Sequence, residues 1–350
     1  MMSKYLKEDL RSLAEYLHEQ NFGKTSIMVT GATGLVGSLI IKAIIEHNRI
    51  YDDNIRAIAL ARSSSKVKDV FSDNLSNLNH VEFIYQDITE PISVNCYCDY
   101  IIHTATPTVS KYFITNPVEV IDVVYTGSKR VLEFGLQQKV KGIVYLSSME
   151  VFGTVNKSEK LVSEEDLGYL DLQNIRCCYS EGKRLVELLC KSYAVEYNLP
   201  VSIARLSQTF GAGIHKSENR VFAQFARSAI EQKDIVLHTN GLSYGNYCYT
   251  ADTIRAIFVL LQNGVNGEVY NVVNEETTRT IKQMAQMVAE KFSDGKSKVI
   301  IDTANTESFG YAPKTVMRLS SRKLQSLGWK PTIDLEEMYT RMLPDLNREI

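Results

Sequence analysis

Residues 29–37 read "VTGATGLVG", and the spacing of their glycines decides the fold. Gly31, Gly34 and Gly37 follow a GxxGxxG pattern between an apolar run, "SIMVT", and a helical stretch, "LVGSLIIKAIIEHN". Small residues at a strand-to-helix crossover let backbone approach a pyrophosphate, and the free N–H groups of the helix start attract its charge. A glycine triplet alone is weak evidence, but its position at the first crossover is the context that dinucleotide binding needs. The alternative is a tight turn with a purely structural role.

Outward from this turn the chain alternates. "NIRAIALA", "VEFIYQD", "YIIHTAT", "GIVYLSS" and "VSIARLS" are short runs rich in Ile and Val, apolar almost throughout. Such runs suit strands covered on both faces. The segments between them, such as "VEVIDVVYTGSKRVLEFGLQQ", carry helical periodicity. Repeated strand–helix order predicts an α/β, Rossmann-like doubly wound parallel sheet over 25–207. Beyond it the strict alternation fails, and 208–350 is expected to form mainly a smaller substrate-binding lobe, with some interleaving. Residues 1–24 form a helical extension with Leu6, Leu10, Leu13 and Leu17 along one side, packed on the main domain or offered to a partner.

The 350 residues carry 39 Lys and Arg against 41 Asp and Glu, a net charge of −2, so no basic field for nucleic acid is expected. No apolar run is long enough for a membrane span, and none resembles a secretory leader. Six cysteines without CxxC spacing fit reduced thiols in the cytoplasm. No metal site is expected.

The second strand ends "ALARSSSK", with no carboxylate to hold ribose hydroxyls. Arg62, backed by Ser63 and Ser64, can instead accept a 2′-phosphate, which favours NADP over NAD; a solvated loop arginine is the bland alternative. Asp87 either accepts from the adenine amino group or caps its own loop. Further on, "CCYSEGKRL" sets Tyr179 four residues before Lys183, on one helical face. A nearby ammonium and an oxidised nicotinamide are expected to lower the phenol's pKa, so that Tyr179 exchanges a proton with an alcohol or ketone. "YLSSMEVFG" supplies a hydroxyl partner from Ser147 or Ser148.

With these motifs, and with "NP" at 116–117, "ARLSQTFG", "YTAD" and "LGWKP", the chain resembles the extended short-chain dehydrogenase/reductases, the NAD-dependent epimerase/dehydratase family, from about residue 25 to 335. The resemblance implies that Ser148, Tyr179 and Lys183 are catalytic. It adds Thr33, Leu35, Val36, Ile88, Thr104, Ala105 and Thr106 to Gly31, Gly34, Gly37, Arg62 and Asp87 as cofactor contacts, with Tyr179 and with Lys183, which can hold the nicotinamide ribose. It also implies a homodimer.

Within the family the motifs are most similar to those of UDP-glucuronate decarboxylases. That likeness gives Glu150 a catalytic or substrate-contacting role, against a buried acid bonded to backbone. It makes Gln208 and Arg220 substrate contacts. Met149 stands where dehydratases carry an acid, which disfavours simple dehydration. Gly245 stands where the decarboxylases carry an arginine for the anionic end of the substrate, Arg318 is out of the expected register, and Val124 replaces a frequent Asn. Arg220, Lys216 and His215 are candidates to restore the anion site; His103 reads as structural. The expected activity is NAD(P)-dependent modification of a nucleotide-activated sugar through a keto-sugar, of decarboxylase or epimerase type. The alternative is an NADPH-dependent reductase of a sugar, sugar phosphate or nucleotide-linked ketose. A cofactor-binding scaffold without turnover is a third reading, disfavoured by the complete Ser148, Tyr179 and Lys183 set.

Overall fold

The computed structural model describes residues 2–94, 97–155, 160–303 and 316–347. In chain order its first half runs α1 (Lys4–Glu19), β1 (Ser26–Thr30), α2 (Leu35–Ile50), β2 (Arg56–Ala61), α3 (Ser64–Val70), β3 (Val81–Tyr85), β4 (Tyr100–His103), α4 (Ser110–Thr115), α5 (Pro117–Gln138) and β5 (Gly142–Ser148). It continues with α6 (Cys177–Tyr197), β6 (Val201–Leu206), β7 (Gln208–Phe210), α7 (Val221–Ile230), β8 (Ile235–Leu237), β9 (Tyr244–Tyr249) and α8 (Thr250–Asn263). The last elements are β10 (Val269–Val272), β11 (Asn274–Thr280), α9 (Ile281–Phe292), β12 (Val299–Ile301), α10 (Arg322–Gln325) and α11 (Leu335–Leu346).

Seven strands form one parallel sheet in the order β10-β6-β5-β4-β1-β2-β3. The unbroken apolar strands follow from burial on both faces. Ile27 and Val29 of β1 join the core beneath α1, α2 and α8, while Met28 between them joins the core beneath α5 and α6. Strand order reverses between β1 and β4, the switch point at which open sheets of this kind bind ligands. His103 ties this point together: its Nδ1 lies 2.7 Å from Thr30 Oγ1 and its Nε2 3.0 Å from Ser128 Oγ. Burial, with Lys183 nearby, drives its pKa down to about 3, so the ring is a neutral structural link.

The segment after residue 207 is shared between two places. β10 returns to the edge of the main sheet beside β6, and α8 contributes Ile254, Ile257 and Phe258 to the main core. The remainder builds a three-stranded sheet, β11-β9-β7, and a two-stranded one, β12-β8.

α1 is integral to this architecture. Ser3 caps it by accepting from Leu6 N at 3.2 Å, and Leu6, Leu10, Leu13 and Leu17 are buried. Each buried leucine contributes roughly 1.5–3 kcal/mol. The apolar side is consumed by the core, which leaves no stripe on it for a partner. Asp9 on the same helix accepts from the Tyr249 hydroxyl and from Arg341, while Arg255 donates to Ser12.

Candidate active site

The glycine turn leaves β1 at the switch point. Gly31 has φ +66°, and a Cβ there would fall 2.8 Å from the backbone of Ala105; one on Gly37 would fall 2.5 Å from the Gly31 carbonyl. Only glycine fits both positions, so β1, β4 and α2 converge with nothing between them. Thr104 locks the junction by donating to the Thr30 carbonyl at 2.7 Å. Gly34 opens α2 without any side-chain cap, so the N–H groups behind it remain available to an anion. Thr33, Leu35 and Val36 are half-buried along this turn, and the Ala105 N–H donates to Thr30 Oγ1 at 3.3 Å. A cradle closed to Cβ atoms at the uncapped start of a helix fits the pyrophosphate of a dinucleotide.

Arg62 extends from the end of β2, two-thirds exposed, with Glu119 4.0 Å away. Asp87 Oδ1 accepts from Thr89 N at 3.0 Å and Thr89 Oγ1 at 2.8 Å, bonds that hold its pKa below the usual range, helped by Arg62. This is loop-capping geometry, so the capping interpretation describes Asp87 in the protein itself. Ile88 is buried against Gly127 of α5.

Tyr179 and Lys183 project from α6 toward the ends of β4 and β5. Lys183 Nζ donates to Thr106 Oγ1 at 2.9 Å and to the Leu146 carbonyl at 2.6 Å, and lies 5.8 Å from the Tyr179 ring centre. The Ser148 hydroxyl is near enough to the Tyr179 phenol to hold its pKa down. Ser147, by contrast, points into the core and donates to Glu187 at 2.6 Å, within a buried network closed by Arg205. The choice of Ser148 over Ser147 thus corresponds to opposite sides of one strand.

The electrostatics differ from the sequence expectation. Burial pushes the Tyr179 phenol well above its ordinary value; Glu150 raises it further, while Ser148, Arg176 and Arg220 oppose the rise. Burial also pulls Lys183 down to about 7, against Glu187 and Cys190. Both groups are therefore biased toward their neutral forms in the protein alone, because neither can shed the cost of desolvating its charge. The ring of Phe113, on α4, lies flat against Tyr179 at 4.4 Å and 8°, which completes the exclusion of water.

Glu150 is neither free nor bonded only to backbone. Its carboxylate is held by Arg176 through two bonds, 2.8 Å and 3.0 Å. Sequence reasoning passed over Arg176 and Phe113. The signal for Arg176 was its place three residues before Tyr179, one turn back on the same face. Arg220 is likewise engaged, with Nε and Nη2 on Glu218 at 3.0 Å and 2.7 Å, yet it is near enough to act on Tyr179. His215 bonds within its own loop to Ser217.

Gln208 and Tyr247 are register partners across β7 and β9, and Gln208 Oε1 and the Tyr247 hydroxyl are both buried without hydrogen-bond partners among the described residues. A Cβ on Gly245 would lie 2.0 Å from that hydroxyl, so Tyr247 fills the space a side chain at 245 needs. Val124 packs against Gly182, beside Lys183.

Comparison with known proteins agrees with this geometry. Residues 27–273 match the NAD dependent epimerase/dehydratase family. UDP-glucuronic acid decarboxylase 1 of Xenopus tropicalis is 25% identical over 344 residues, covering 96% of this chain and 75% of that one. UDP-glucuronic acid decarboxylase 6 of Arabidopsis thaliana is 27% identical over 322 residues, covering 89% and 85%. Among solved structures, dTDP-glucose 4,6-dehydratase from Bacillus anthracis in complex with NAD superposes with a TM-score of 0.70 at 18% identity, covering 92% of this chain and 96% of that one. With a glycine cradle, a Tyr179–Lys183 pair and a match across most of the chain, this protein belongs to the NAD-dependent epimerase/dehydratase family and is an enzyme of the extended short-chain dehydrogenase/reductase type.

Proposed function

We propose that the enzyme oxidises a hydroxyl of a nucleotide-activated sugar to a ketone and reduces the product again before release, as a decarboxylase or epimerase does. The observation that carries this reading is the meeting of Ser148, Tyr179 and Lys183 beside the Glu150–Arg176 pair. The relatives that act as UDP-glucuronic acid decarboxylases support it.

A bound nicotinamide would supply the hydride acceptor. The protein supplies the proton chemistry. Ser148 orients the sugar hydroxyl at Tyr179, which must first be ionised. Its proton passes to solvent when the positive charge of an oxidised nicotinamide offsets the burial, and the phenolate then takes the hydroxyl proton. Lys183, anchored by Thr106 and the Leu146 carbonyl, lies close enough to favour the phenolate as it forms. Arg176 is the guanidinium best sited to meet an anionic substrate. A substrate carboxylate that takes over its fork from Glu150 releases Glu150 beside the sugar ring.

NADP is the preferred cofactor in this reading. The loose pairing of Arg62 leaves its charge for a 2′-phosphate, and no carboxylate stands at the end of β2. A homodimer through α5 and α6 is supported by the exposed Val118, Ile121, Leu185, Leu188 and Val195. Five described cysteines are free, and no described helix is long and apolar enough to cross a membrane; both suit a cytoplasmic enzyme.

The second reading, an NADPH-dependent ketose reductase, is favoured by the Tyr247 hydroxyl in place of a cation at 245. Incubation of purified enzyme with UDP-glucuronate, other nucleotide sugars and phosphorylated ketoses, with NAD, NADP or NADPH, separates the two by mass spectrometry. A modified nucleotide sugar without net cofactor consumption supports the first reading. Stoichiometric NADPH consumption by a phosphorylated ketose, with nucleotide sugars inert, replaces it with the second.

A further inference from the structure

At the opposite end of the strands from Gly31 and Ser148, α1 and α2 meet the loop before β2. There His18, His47 and Asp53 bring one nitrogen or oxygen each within 4.8 Å of one another. None of the three has a part in the chemistry above.

His47 is fully buried. Its Nδ1 lies 3.1 Å from Asn48 Oδ1. The Asn48 amide is fixed by Ile55, whose N–H donates to Oδ1 and whose carbonyl accepts from Nδ2, both at 2.8 Å. Oδ1 is therefore an acceptor, and His47 Nδ1 is the nitrogen that donates to it. Nε2 is turned to the cluster and faces Asp53 Oδ1 at 3.5 Å. Both atoms are buried and neither has a hydrogen-bond partner among the described residues. Buried polar atoms left without a partner call for an explanation, and a cation bound by both would supply one.

The third group is already in place. His18 Nδ1 lies 3.2 Å from Asp53 Oδ2, and its ring is stacked on Tyr51 at 3.9 Å and 5°. Gly23 makes room for the carboxylate, since a Cβ there would fall 2.0 Å from Oδ2. Tetrahedral zinc with bonds of about 2.0 Å has ligands about 3.3 Å apart. The 3.2 and 3.5 Å separations end on different oxygens of Asp53, so whichever oxygen serves supplies one edge near this length. The other pairs, all within 4.8 Å, must contract.

We infer that His18, His47 and Asp53 form a structural site for a divalent transition metal of the zinc class, tying α1 to the end of α2. Two imidazole nitrogens and one carboxylate suit such an ion, whereas magnesium and calcium want oxygen donors throughout. The half-exposed His18 leaves a fourth position for water.

Full-length protein, stripped with chelator, is titrated with zinc by calorimetry and melted with and without it, alongside His18→Ala and Asp53→Asn. The wild type takes up one zinc per chain and melts higher with it. Each variant loses roughly tenfold or more in affinity and the thermal gain, while turnover is unchanged. Magnesium reproduces neither effect. Absence of stoichiometric uptake, uptake that survives in either variant (as binding to the cysteines would), or an equal response to magnesium overturns the assignment. The inference is independent of the substrate proposal.

Discussion

Arg176 grips both oxygens of Glu150, at 2.8 and 3.0 Å, and stands one helical turn before Tyr179. The two charges act on the phenol in opposite senses: Glu150 raises its pKa and Arg176 lowers it. Glu150→Gln should shift the phenol limb of the pH profile of kcat/KM to lower pH, and Arg176→Met should shift it to higher pH. The amplitude falls in both. Shifts in the same direction would show that the pair does not act on Tyr179 electrostatically.

Tyr179→Phe should lower turnover by roughly 10²–10⁴-fold, the usual contribution of a positioned acid–base group. Dinucleotide affinity changes little, because the glycine cradle and Lys183 remain. Fluorescence titration of the cofactor beside steady-state rates checks both halves, and wild-type turnover would remove Tyr179 from the chemistry.

Arg62→Ala should weaken NADP(H) more than NAD(H). One charge-assisted contact is worth about 1.5–3 kcal/mol, so the ratio of the two dissociation constants shifts by roughly tenfold or more. Equal weakening of both cofactors would mean that Arg62 does not discriminate between them.

Gly245→Ala should destabilise the fold by about 1–3 kcal/mol, the usual cost of overpacking, because its Cβ meets the Tyr247 ring and hydroxyl. Tyr247→Phe removes a buried hydroxyl that has no partner, so it should be neutral or stabilising by up to about 1 kcal/mol. Denaturant melts of the two variants test this directly. Substantial destabilisation by Tyr247→Phe would reveal a bond to that hydroxyl.

Asp9 provides a pH test of the packing of α1. Burial raises its carboxyl to about 6, despite Tyr249, Arg341 and Arg255. Between its unfolded pKa and about 6 the folded state binds the extra proton, so stability falls as pH rises through that interval. The loss amounts to on the order of 2–3 kcal/mol. Asp9→Asn should flatten this fall, seen by comparing melts at pH 4 and pH 7. A parallel decline in the variant would assign the effect elsewhere.

Much of this was legible because it is local. The glycine turn at Gly31, the one-turn spacing of Tyr179 and Lys183, and the apolar strands each follow from a few adjacent residues. What escaped depends on distant partners. Glu150 and Arg176 come from different elements, 26 positions apart. The return of β10 to the main sheet is equally non-local. The raised phenol pKa of the protein alone was hidden for a related reason: the spacing reveals the lysine, but not the burial that dominates both groups.

The reach of α1 bears on how the chain folds. Asp9 finds its partners Tyr249 and Arg341 at separations of 240 and 332 residues. Those two bonds close only when the segments around residues 249 and 341 are in place, whereas the leucines of α1 pack largely against the neighbouring α2. Contacts of such separation are slow to close. Anchoring of Asp9 should be a late step, so a refolding phase sensitive to Asp9→Asn ought to follow formation of the parallel sheet.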